Sequence, residues 1–220
     1  MIKRVVMFDL DGTLTDPRPG IVGCIRFALD QLRISCPSDD VLAGYIGPPL
    51  RGSFATLLKT SDAERIEEAL RFYRQRFADT GLYENKIYEG VPVMLDTVGR
   101  VTSAAYVVTS KPAVYAERIV SHFKLDHHFR KVYGAELDGR WDDKAELLAH
   151  LLATEGVDPS AAVMVGDRAA DITAAKANKV RSIGVLWGYG SEAELSDVGA
   201  DMFCRTPSEL ATHLSAAQSN

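Results

Sequence analysis

VVMFDLDGTLTD, residues 5–16, is the stretch from which the rest of this chain is best read. Val5, Val6, Met7 and Phe8 are apolar without alternation. That pattern suits a strand covered on both faces, as in a parallel sheet between layers of helix. The run then breaks into Asp9, Asp11 and Asp16, with Gly12 among them. Carboxylates do not belong in a buried core unless something compensates them. In open parallel sheets the carboxyl end of a strand is where ligands bind, so the acids sit where a chemical role is expected.

Similar runs recur: AAYVVT (104–109), KVYG (131–134), AAVMVG (161–166), RSIGVLW (181–187) and DMFC (201–204). Helical spacing of apolar residues separates most of them, as in Val114, Ala116, Ile119, Val120 and Phe123, or Leu147, Leu148, Leu151 and Leu152. Strand alternating with helix predicts an α/β fold with a Rossmann-like parallel sheet and right-handed crossovers. Ser191 with Glu194, and Thr206 with Pro207 and Glu209, mark two helix starts.

Residues 17–88 break the rhythm. They carry helical patterns and no convincing strand: Ile21, Ile25, Ala28, Leu29 and Leu32; Leu50, Phe54, Leu57 and Leu58; then Ile66, Ala69, Leu70, Tyr73 and Phe77 after a Ser61 to Glu64 capping box. The expected organisation is a core of 1–16 and 89–220 with a small all-helical cap, 17–88, inserted after the first strand.

Composition narrows the function. The chain has 220 residues, 46% of them hydrophobic and 25% charged, enough for a substantial core. A net charge of −5 without basic clusters argues against a nucleic-acid polymer or an anionic membrane as partner. No stretch reads as a signal peptide or a bilayer span, and Cys24, Cys36 and Cys204 form no CxxC pair. A cytoplasmic protein, monomer or homodimer, is expected.

The ends of several strands carry polar groups that such a sheet brings together: Asp9 and Asp11, Thr109 and Ser110, Gly166 and Asp167, with Lys144 in the intervening connection. Asp171 follows Asp167 at a spacing that puts both on one face if a helix begins there. Gathered carboxylates repel one another unless a divalent cation holds them. Mg²⁺ is the natural candidate, because it takes oxygen ligands and bridges to phosphate. A partly neutralised carboxylate can attack phosphorus, and a second acid two residues on can protonate the leaving oxygen and then deprotonate water. Asp9 is read as nucleophile, Asp11 as acid and base, Lys144 as the neutralising cation, and Thr109 with its neighbours as phosphate ligands.

FDLDGT (8–13), VVTSK (107–111), DDKAELL (142–148) and VGDRAAD (165–171) occur in order, and through them the sequence resembles the haloacid dehalogenase superfamily of phosphatases over nearly its whole length. The resemblance implies Mg²⁺ held by Asp9, Asp167, the backbone carbonyl of Asp11 and, directly or through water, Asp171. It implies an aspartyl phosphate on Asp9 and a helical cap like that of phosphoglycolate phosphatases and β-phosphoglucomutase. IGPPLRGSF (46–54), YENKIYEGV (83–91) and GVLWGYGSEAEL (184–195) are similar to the 5′-nucleotidase-like branch. The segment 94–110 departs from the family in lacking a lysine-rich helix end and a glycine before the second motif.

The expected activity is hydrolysis of a small phosphate monoester, with a nucleoside 5′-monophosphate first and phosphoglycolate or a sugar phosphate second. A phosphomutase or a non-enzymatic phospho-accepting module ranks below these. Arg51, in the stiff loop after Gly47, Pro48 and Pro49, is the cap's candidate substrate contact. His127 and His128 stand in an apparent loop with no third ligand in view and read as surface residues, while GYG at 188–190 reads as a tight turn.

Overall fold

The computed structural model describes residues 4–216. It divides into two compact units, Met1–Asp16 with Ile87–Asn220, and Pro17–Lys86. The expected insert ended slightly later, at 88.

The first unit is built on a sheet in the order β5-β4-β1-β6-β7-β8, with every neighbouring pair parallel. Its strands are β1 (Val5–Phe8), β4 (Ala104–Pro112), β5 (Lys131–Ala135), β6 (Ala162–Gly166), β7 (Arg181–Val185) and β8 (Met202–Cys204). All six sequence runs thus become strands of one sheet. The short strands β2 (Thr15–Asp16) and β3 (Lys86–Ile87) pair separately as a two-stranded ribbon.

Helices α5 (Val91–Val101), α6 (Ala113–His122), α7 (Lys144–Glu155), α8 (Ala169–Ala177), α9 (Glu192–Asp197) and α10 (Pro207–Ala216) connect or follow the strands. Met7, Tyr106, Val108, Tyr133 and Met164 form one core with Leu147, Leu148 and Leu151 of α7 and Ala174 and Ala175 of α8. Strand alternation sends Val6, Phe8, Val107 and Val165 to the other face, where they are equally buried. Coverage on both faces is the physical reason the strands read as unbroken apolar runs.

In the second unit α1 (Arg18–Gln31) packs on α4 (Ala63–Arg76), as does α3 (Leu50–Leu58), with the short α2 (Asp39–Ala43) against α1. Phe54 meets Tyr73 edge-on at 6.1 Å, and Tyr73 stacks on Phe77 at 5.4 Å. Phe77 opens a π-helical turn, Phe77–Gly81. Arg76 spans Glu84 with bonds of 2.7 and 3.0 Å. The start of α4 differs from expectation. Its cap is Asp62, whose Oδ1 accepts from the Glu64 amide at 3.0 Å, rather than Ser61. Asp is as good a cap as Ser, and Thr60 Oγ1 accepts from the Asp62 amide, setting the turn one residue later.

Candidate active site

Asp9 directly follows β1, and its amide donates to the Val165 carbonyl of β6 at 2.9 Å, extending the parallel ladder by one bond. The chain then turns tightly. The Leu10 carbonyl accepts from the amides of Leu14 and Thr15, and the Gly12 amide donates to the Thr15 carbonyl at 2.7 Å. Gly12 has φ of +87°, which disfavours side-chain-bearing residues. A Cβ there would lie 2.2 Å from Asp167 Oδ2, so the turn and the second acid pack as one unit.

Asp167 follows β6 and is fully buried. Thr13 Oγ1 donates to its Oδ1 at 3.1 Å and the Tyr189 amide to its Oδ2 at 2.8 Å. The GYG segment is therefore more than a turn: it supplies a backbone donor to an acid of the site. Asp171 stands in the first turn of α8, where Oδ2 accepts from the Arg168 amide at 3.0 Å. Asp167 itself precedes that helix, so the two acids meet through the β6–α8 turn and not on a shared helical face. A Cβ at Gly166 would lie 2.1 Å from Asp171 Cγ, which shows how closely strand and acid approach.

Two lysines reach the same place. Lys144 is the first residue of α7, behind the Asp143 cap, and its buried Nζ lies 2.5 Å from Asp171 Oδ1 and 3.0 Å from Asp9 Oδ1. Lys111 Nζ lies 2.8 Å from Asp11 Oδ2, both side chains buried. Lys111 was not singled out from the sequence, although Thr109 was. The register of β4 against β5 shifts between Thr109 and Pro112, and within this irregular strand end both Thr109 and Lys111 are buried. Thr109 is buried and its Oγ1 accepts from the Lys111 amide at 3.3 Å; Ser110 is half-buried.

Four carboxylates, Asp9, Asp11, Asp167 and Asp171, thus face two lysines, an excess of two negative charges when all are ionised. The electrostatics register it. Burial pushes Asp167 up to about 8, reinforced by Asp9 and Asp171. Burial likewise raises Asp171 to about 6, against the pull of Lys144. Burial also raises Asp11, with Lys111 acting the other way. For Lys144 burial works to lower the pKa, but the charges of Asp171 and Asp9 outweigh it and the ammonium is held well above its ordinary range.

Ligand oxygens of Asp9, Asp167 and Asp171 lie within 4.8 Å of one another. Among the described residues, the buried Oδ1 atoms of Asp9 and Asp11 accept no hydrogen bond; Lys144 is in ion-pair range of the first but out of alignment. All-oxygen donors, unsatisfied lone pairs and a charge excess of two together fit a hard divalent cation.

Residues 6–185 match the haloacid dehalogenase-like hydrolase family. The chain belongs to that family. Its relatives include a protein named 5′-nucleotidase in Pseudomonas aeruginosa, 46% identical over 86% of each chain. A Mycobacterium tuberculosis protein named tyrosine-protein kinase PtkA is 35% identical over 96% of this chain and 68% of its own length. A phosphoglycolate phosphatase of Aquifex aeolicus is 28% identical over 94% of each. The crystal structure of a predicted phosphatase from Clostridium acetobutylicum superposes with a TM-score of 0.93 at 34% identity, covering 97% of this chain and 99% of the other. Haloacid dehalogenase-like membership accounts for the placement of the four motifs at neighbouring loops of one sheet.

Arg51 belongs to the second unit, on α3, where its Nε donates to Glu67 Oε1 at 2.8 Å. No described helix is long and apolar enough to cross a membrane.

Proposed function

We propose that this chain is a Mg²⁺-dependent phosphomonoester hydrolase working through an aspartyl phosphate on Asp9, with a nucleoside 5′-monophosphate as substrate. The observation that carries the reading is the buried cluster itself: Asp9 with Lys144 at 3.0 Å, Asp11 with Lys111 at 2.8 Å, and ligand oxygens of Asp9, Asp167 and Asp171 within 4.8 Å of one another.

Asp9 attacks phosphorus while the bond to the leaving oxygen breaks. Asp11, held toward its protonated form by burial, passes its proton to that oxygen. Lys144 spreads its charge over Asp9 and the transferring phosphoryl group, and Thr109 and Ser110 hold phosphoryl oxygens at the end of β4. In the second half Asp11, now a carboxylate, takes a proton from water as the water attacks phosphorus, releasing phosphate and restoring Asp9. Asp9, Asp167 and Asp171 would hold Mg²⁺, with the Asp11 carbonyl joining them as the family pattern implies. When bound it neutralises the excess charge and polarises the phosphoryl oxygens. Arg51 is assigned to the leaving group, and three cysteines that form no disulfide with one another suit a reducing cytoplasm.

The nucleotide reading rests on the Pseudomonas relative; the Aquifex relative favours phosphoglycolate as the second. The test is phosphate release from nucleoside monophosphates, phosphoglycolate and sugar phosphates, with Mg²⁺ and with EDTA. Mg²⁺-dependent release concentrated on nucleotides supports the first reading, and concentration on phosphoglycolate selects the second. A phosphorylated acceptor in place of free phosphate would assign a transferase, the activity in the name of the mycobacterial relative.

A further inference from the structure

The same sheet carries a second cluster of metal-ligating side chains at its other end. Asp96 lies on α5, which leads into β4, and His127 and His128 close a 3₁₀ turn, Asp126–His128, that leads into β5. Both elements deliver the chain to the amino ends of their strands, whereas the catalytic acids follow the carboxyl ends of β1 and β6. Because the strands are parallel, the length of β5, five residues or roughly 16 Å, separates the two locations.

The histidines' neighbour in sequence, Asp126, does not join their ligand atoms as a third donor. Folding supplies one. The turn packs against α5 and brings ligand atoms of Asp96, His127 and His128 within 4.8 Å of one another. His128 Nε2 lies 3.9 Å from Asp96 Oδ1, too far for a hydrogen bond, so the two do not satisfy each other directly. The imidazole rings of His127 and His128 are 3.9 Å apart at centroids. Asp96, His127 and His128 also border an open pocket of about 540 Å³, with room for water or a further ligand at the cluster.

We propose that Asp96, His127 and His128 form a second cation site, one for a late first-row divalent ion of the Zn²⁺ class. Two imidazoles and a carboxylate are the donor set of Zn²⁺, Co²⁺ or Ni²⁺, not of Mg²⁺, which prefers oxygen and its own water. Three protein donors leave a coordination position for solvent or a small anion. Tetrahedral Zn²⁺ with bonds of about 2.0–2.1 Å spaces its donors by roughly 3.4 Å. The His128 Nε2 to Asp96 Oδ1 distance of 3.9 Å exceeds that, so ion binding requires the side chains to draw in. His128, with a side chain only 9% exposed, is the fixed point, and its amide anchors the turn by donating to the Leu125 carbonyl at 3.0 Å. His127 and Asp96 are exposed and free to turn toward it. A bound ion would pin α5 to the connection that precedes β5, and so stabilise the folded chain by linkage.

The experiment is Zn²⁺ uptake by the full chain, measured by equilibrium dialysis with Mg²⁺ in large excess to fill the catalytic acids. Parent, His127→Ala and Asp96→Asn are compared, and thermal melting is followed alongside. Both substitutions are at exposed positions, and both variants should keep Mg²⁺-supported turnover. The expected result is one Zn²⁺ equivalent in the parent, a fall in affinity of roughly 10-fold or more in each variant, and a Zn²⁺-dependent rise in Tm that only the parent shows. Co²⁺ should give the intense visible bands of a tetrahedral nitrogen-containing site. Equal uptake by parent and His127→Ala, no uptake at micromolar free Zn²⁺, or a loss confined to His127→Ala would each overturn the three-donor site.

Discussion

Lys111 Nζ lies 2.8 Å from Asp11 Oδ2, and both side chains are buried. Asp11, the acid proposed to alternate between giving and taking a proton, is therefore tuned chiefly by this cation from the neighbouring strand, in opposition to burial and to Asp9. Removing one member of a buried ion pair strands the other. Lys111→Met should push Asp11 further toward its protonated form, help proton donation and starve the hydrolytic half of its base. The expected outcome is a fall in kcat, with the acid limb of the pH–rate profile moved to higher pH and the phosphorylated enzyme accumulating. An unchanged profile would detach Lys111 from Asp11 chemistry.

Asp9→Asn removes one negative charge from a cluster that has two too many. Turnover of p-nitrophenyl phosphate should disappear, yet the metal-free variant should melt no lower than the parent. Retention of the parent's rate would show that Asp9 is not the nucleophile.

Stability without metal should fall as pH rises. In the folded, metal-free chain Asp167 is pushed up to about 8 from an ordinary 3.8. The folded state therefore binds more protons than the unfolded one between these values. The stabilising contribution is complete below pH about 4 and is lost as pH climbs through about 8; Asp171, at about 6, acts in the same direction. Melting in EDTA should show a declining Tm from pH 5 to 8, and the gain on adding Mg²⁺ should grow across that window. A pH-independent Mg²⁺ gain would contradict the charge excess.

Gly12→Ala places a Cβ 2.2 Å from Asp167 Oδ2 on a backbone with φ of +87°. Strain of about 1–3 kcal/mol is expected, together with a displaced Asp167. Mg²⁺ affinity and kcat should fall together while circular dichroism is preserved. Titration of Mg²⁺-dependent activity measures this directly.

Glu155 provides a contrast away from the site. Its two oxygens accept from Tyr106 Oη at 2.9 Å and Tyr133 Oη at 2.6 Å. Glu155→Ala leaves both hydroxyls without that acceptor and should cost about 1–3 kcal/mol, lowering Tm by several degrees with kinetics unaltered. A change in KM or kcat would tie this face to the catalytic end.

Much of the site was legible because the proposed catalytic residues lie at the ends of strands, and strand ends can be read from apolar runs. Asp9, Asp11, Lys144, Asp167 and Asp171 all converge. Asp167 and Asp171 meet differently from the spacing argument, since the helix begins only at Ala169. Lys111 was hidden in plain view: nothing local distinguishes a buried lysine from a solvated one. Tyr189 gives Asp167 a backbone amide, a donor every residue but proline carries and so one without a sequence signature.

The sequence by itself determined the period of its own elements: unbroken apolar strands, amphipathic helices between them, and acids at the strand ends, because burial on two faces and helical spacing leave local marks. Only the tertiary structure decided which charges meet. The pairings of Lys111 with Asp11, Lys144 with Asp9 and Asp171, and Asp96 with His127 and His128 join residues far apart in the chain. Electrostatic energy depends on distance and burial in three dimensions, and neither quantity has a local period to read.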